Sequence, residues 1–135
     1  MVSCLMTKKF SRSWTASIDT AKQRKYRYNA PLHVRQKMIS AHLDKKLRKE
    51  TGRRSIPLRR DDEVKVMAGG FKGKTGKVTR VDLKKLRVFV DSVKKKKVSG
   101  QEVEISIDPS NLMVIKLNLD DKKRRKFVER KHIKK

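Results

Sequence analysis

The sequence predicts a mainly β fold: a small barrel preceded by short helices, with a basic extended arm at the N-terminus and a basic helix at the C-terminus. Three observations lead there. Short apolar segments with strand-like alternation recur between residues 61 and 117. Four of the six glycines, Gly69, Gly70, Gly73 and Gly76, fall in one loop between two of these segments, as in a hairpin turn. Positive charge is concentrated at the ends: residues 61–117 hold 13 Lys and Arg against 8 Asp and Glu, whereas the flanks hold 26 against 6. The chain then divides into a basic N-terminal extension (1–30), a short helical segment (31–57), the barrel (58–117) and a basic C-terminal helix and tail (118–135).

The first 30 residues show no sustained apolar period and read as an arm. At Pro31 the pattern changes, because proline suits the first turn of a helix. Val34, Met38 and Ala41 then follow at near-helical spacing, and Leu43 with Leu47 predicts a second short helix that Gly52 and Pro57 end. Asp61, Asp62 and Glu63 read as a solvated turn entering the first strand, since no positioned histidine or further carboxylate accompanies them for acid–base or metal chemistry. Val64 and Val66 form that strand, and the second opens at Gly76-Lys77-Val78. Leu86, Val88 and Val90 predict a third strand, Val103, Ile105 and Ile107 a fourth, and residues 112–117 a fifth. The lysines at 94–97, followed by Ser99 and Gly100, predict a protruding basic turn. Asp120 and Asp121 stand where a helix N-terminus favours negative charge, ahead of a basic helix over 122–131 with Phe127 and Val128 as its apolar contacts.

Composition narrows the partner. The formal net charge is +25, from 39 Lys and Arg against 14 Asp and Glu in 135 residues. Self-repulsion on that scale opposes compaction until a polyanion neutralises it. The longest uninterrupted apolar run, 112–115, is far short of the ~18 residues of a spanning helix, so no membrane anchor is expected. The lone Cys4 closes no intrachain disulfide, and neither it nor His33, His42 and His132 forms a metal-ligand spacing. The glycine loop fits a polyanion: its tip tolerates positive φ and presents backbone N–H groups, with Lys72, Lys74 and Lys77 around it. The rings of Trp14, Tyr26 and Tyr28, set among basic residues, suit either stacking on unpaired bases or anchoring to protein.

Residues 61–81, DDEVKVMAGGFKGKTGKVTRV, resemble a KOW motif. Five blocks in order extend the likeness over residues 17–131: APLHVRQKMIS (30–40), RSIPLRRDDEVKV (54–66), GGFKGKTGKV (69–78), DPSNLMVIKLNLD (108–120) and RRKFVERK (124–131). Together they resemble the eukaryotic and archaeal family of large-subunit ribosomal protein L twenty-six, whose bacterial relative is L twenty-four. That resemblance implies an SH3-like barrel and a non-enzymatic structural role in the large subunit of the cytosolic ribosome. Its implied partners are large-subunit ribosomal RNA beside the peptide exit tunnel and neighbouring ribosomal proteins, with no cofactor and no small-molecule substrate. Assembly in the nucleus or nucleolus is expected from the family.

The RNA-binding candidates are then Arg24, Lys25 and Arg27 in the arm, with His33 and Arg35 in the first helix. Arg53, Arg54, Arg59 and Arg60 line the approach to the barrel. Lys72, Gly73, Lys74 and Lys77 hold the loop, and Lys94 and Lys95 the basic turn.

Rival readings fit less well. AGGFKGKT at 68–75 misses a nucleotide-binding P-loop only at its first position, but that loop must open a helix, and GKVTRV continues as a β-branched strand. Residues 1–18 are basic and free of acids, as in an organelle transit peptide, yet the body resembles the cytosolic protein. The segment before Ser17 departs from the family's short start. A KOW-type transcription or RNA-processing factor would want an additional polymerase-binding domain, for which these residues leave no room.

Overall fold

The computed structural model describes residues 9–130; Cys4, Lys131 and His132 lie outside them. Seven strands make one curled sheet: β1 (Ser40–Leu43), β2 (Ser55–Pro57), β3 (Glu63–Val66), β4 (Thr75–Asp82), β5 (Arg87–Lys96), β6 (Glu102–Ile107) and β7 (Leu112–Lys116), in the spatial order β2-β1-β7-β3-β4-β5-β6. All pairings are antiparallel except β1 with β7. The five strands expected between 61 and 117 are β3 to β7, and they curl into a half-closed barrel of the SH3-like type. Val64, Val66, Val78, Val88, Leu112 and Val114 point inward and are buried to 1 % exposure or less. Each contributes about 1.5–3 kcal/mol of hydrophobic stabilisation.

Strand β5 is longer than its alternation suggests. Its register shifts between Phe89 and Lys94, so Val93 turns inward after Val90 and both are fully buried. Leu86 does not begin this strand: it stands in the preceding turn at φ 56°. Lys94 and Lys95 are also not in a turn. They pair with Glu104 and Val103 across β6, and the turn itself begins only at Lys97, whose N–H donates to Gln101 and whose carbonyl accepts from Gly100.

Among the described residues, four α-helices flank the sheet: α1 (Thr20–Asn29), α2 (Leu32–Met38), α3 (Lys45–Thr51) and α4 (Lys122–Glu129). α1 lies inside the segment read as an unpatterned arm, after a 3-10 helix at Arg12–Ala16. It buries no residue, and so its sequence carries no apolar face to detect. Local bonds define its start instead: the Asp19 carboxylate accepts from Ala21 N–H at 2.9 Å and Gln23 Nε2 donates to the Ser17 carbonyl at 2.7 Å.

Ala41 and Leu43 do not continue a helix. α2 ends at Met38, and both residues face the core from β1, which is held between β2 and β7. Near-helical spacing in so short a stretch is outweighed by sheet pairing on both sides. Leu47 does lie in a helix, α3, which Gly52 closes at φ 65°.

The largest departure concerns the acidic turn. Asp62 is fully buried and receives four donors: Arg124 Nη1 and Nη2 at 2.7 Å each, Arg59 N–H at 2.8 Å and Asn118 N–H at 3.0 Å. Arg124 is 5 % exposed and also donates to the carbonyls of Asn118 and Pro57. This bidentate pair fastens α4 to the barrel, so Asp62 is not solvated and Arg124 is not part of a free basic face.

Candidate nucleic-acid interface

The glycine loop is the tip of the β3–β4 hairpin. Its backbone bonds close within the chain: Lys72 N–H donates to the Gly69 carbonyl at 3.1 Å, Gly73 N–H to Val66 at 2.8 Å and Lys74 N–H to Phe71 at 3.2 Å. Of the tip's backbone N–H groups, these three are therefore already satisfied within the chain. Gly73 matters instead for its φ of 90°, which an L side chain adopts only under strain. What the tip presents outward is side-chain charge from the exposed Lys72, Lys74 and Lys77; Lys74 Nζ lies 5.1 Å from the centre of the Phe71 ring. A strand follows this loop where a P-loop requires a helix, because Thr75 opens β4.

The remaining candidates divide by what already holds them. Arg24, Lys25 and Arg27 are exposed on α1, with Arg24 Nη2 3.3 Å from Thr20 Oγ1. Arg35 donates to the carbonyls of Ala30 at 2.8 Å, Lys84 at 3.0 Å and Tyr28, so its guanidinium ties α1 and α2 to the turn after β4. Arg53 is half-buried, 4.0 Å over the Phe127 ring and bonded to the Arg130 carbonyl at 3.0 Å. Arg54 and Arg60 are exposed. Lys94 is exposed and lies 3.5 Å from Glu102.

Arg59 pairs with Asp121, which also caps α4 by accepting from Lys123 N–H at 2.8 Å. The Arg59 hydrogen bond, and then the Lys123 N–H, hold the Asp121 carboxyl below the ordinary carboxylate value. A lowered carboxyl adds stability above its unfolded pKa and loses it as pH falls through the folded one. Arg59→Gln should therefore move the Asp121 titration up toward the ordinary value, read by NMR of the carboxyl carbon. An unchanged titration would remove Arg59 from its role.

Packing brings α2 and α4 to face each other across a groove of about 890 Å³. His33, Arg59 and Arg60 meet there, joined by Lys37 and Lys123, neither of which is among the RNA-binding candidates expected from the sequence. The i, i+4 spacing of His33 and Lys37 on one helix was a usable signal. The approach of Lys123, far along the chain, had no local one.

A family model that describes ribosomal proteins L26 of eukaryotes and their L24-type counterparts of archaea matches residues 17–131. That span takes in all seven strands, the glycine hairpin and α4. The curled sheet, the basic hairpin and this match agree, and the chain belongs to the family of eukaryotic L26 and archaeal L24-type ribosomal proteins.

Proposed function

We propose that this chain is a non-enzymatic structural constituent of the large subunit of the cytosolic ribosome, binding ribosomal RNA beside the exit of the peptide tunnel and supporting subunit assembly. The reading rests above all on the β3–β4 tip, where Lys72, Lys74 and Lys77 are exposed outside any ion pair among the described residues while the backbone beneath them is internally bonded. Such a tip contacts phosphates through flexible cations on a rigid turn. Phosphate contacts position a protein without reading sequence, so specificity comes from RNA shape and from many contacts made together. Arg24, Lys25, Arg27, Arg54, Arg60, Lys94 and Lys95 extend the cationic surface, whereas Arg35 and Arg53 serve mainly by fixing the helices that carry it. Neighbouring ribosomal proteins are the remaining partners, and assembly begins in the nucleus or nucleolus.

Sedimentation tests the reading. The chain should co-migrate near-stoichiometrically with large subunits after a high-salt wash, and crosslinks from the purified particle should map to its RNA. Release by the wash would instead point to a transiently bound KOW factor.

A further inference from the structure

We propose that the groove between α2 and α4 receives an unpaired nucleotide of the RNA, its base on the apolar floor and its phosphates on the cationic rim; the inference rests on the RNA-binding reading above. The groove is lined by the buried Ile39, Ile56 and Leu58, the half-buried Val81 and Leu83, and the exposed Phe127. The rim carries His33, Lys37, Arg59, Arg60 and Lys123, and no Asp or Glu among the described residues lines the groove. Lys37, Arg60 and Lys123 form no salt bridge among the described residues. The occupant this chemistry selects is apolar on one side and anionic on the other. Its volume of about 890 Å³ accommodates a nucleotide with part of its neighbours.

Two polyanions could present both faces, a splayed single strand and an acidic amphipathic peptide. Phe127 favours the nucleotide. The residue is 39 % exposed and its ring is backed by the Arg53 guanidinium at 4.0 Å, making a flat platform for stacking, and the Gln36 amide in the same groove offers a donor and an acceptor to a base edge. A duplex does not suit the site, because its bases are already stacked and it offers the floor only sugars and phosphates.

The experiment uses the full chain with a short oligouridine carrying one 4-thiouridine, free or annealed to its complement. Electrostatics alone makes the duplex the tighter ligand, because its charge density is higher. The proposal expects the single strand to bind about tenfold more tightly than the duplex, with photo-crosslinks on the peptides bearing Gln36 and Phe127. Phe127→Leu should lower single-strand affinity about tenfold while leaving duplex affinity and the salt slope unchanged. Gln36→Glu, on an exposed side chain that bears no folding load, should weaken the single strand more than the duplex. Equal binding of both RNAs with indifference to Phe127→Leu overturns the groove assignment and leaves the phosphate-binding reading standing. Failure of both RNAs to bind in a salt-dependent way overturns the two together. Phe127-dependent binding of an alternating Glu-Leu peptide in place of oligouridine overturns the proposal in favour of a protein partner.

Discussion

Asp62→Ala should destabilise the chain by about 3–5 kcal/mol, because it leaves the Arg124 guanidinium buried without its counter-charge. A domain of this size has only about 5–15 kcal/mol to lose. Two backbone donors, Arg59 N–H and Asn118 N–H, lose their acceptor in the same step. Arg124→Met should cost less. It fills similar volume, and the Asp62 carboxylate keeps both backbone donors. Urea unfolding followed by circular dichroism measures both, and the double variant should be far less damaging than the sum because the residues share one network. An Asp62→Ala midpoint within the range of surface substitutions would mean that the pair does not hold α4 to the barrel.

The glycine loop should answer to geometry at one position and to backbone conformation at another. A Cβ at Gly76 would stand 2.9 Å from Val90 Cγ1 and 2.5 Å from Ser92 Oγ, and against Asp91 Oδ1, which accepts the Lys77 N–H at 2.9 Å. Val90 is fully buried, and moving Asp91 breaks that bond, so Gly76→Ala should cost about 1–3 kcal/mol, as overpacking does. Gly73→Ala meets open space but must hold φ 90°, at about 1–2 kcal/mol. Gly70→Ala meets neither obstacle and should stay within about 0.5 kcal/mol of the parent chain. Thermal unfolding of the three variants tests the order, and a Gly76→Ala variant that melts with the parent chain refutes it. Lys72→Ala should leave the melt unchanged and reduce the slope of log affinity for large-subunit RNA against log salt by about one. Loss of all binding from that one substitution would show a single essential cation where many shared contacts are expected.

Much of this architecture is written in near neighbours. Alternation at Val64/Val66 and Val88/Val90 marks strands because a strand with one buried face needs an apolar residue at every second position. Asp121 ahead of the basic run marks the start of α4, and Gly52 the end of α3, because caps act within a turn. α1 is silent in the sequence for a related reason: a helix that buries nothing leaves no period. The cations of the hairpin tip were legible too, although the internal bonding of Lys72, Gly73 and Lys74 N–H groups was not. Tertiary structure alone decided that β1 and β2 join the sheet, that Asp62 and Arg124 meet 62 residues apart, and that His33, Arg60 and Lys123 share one groove. Each depends on which distant partner a segment packs against, and an acidic turn or a basic helix reads the same in the sequence whether water or a buried counter-charge faces it.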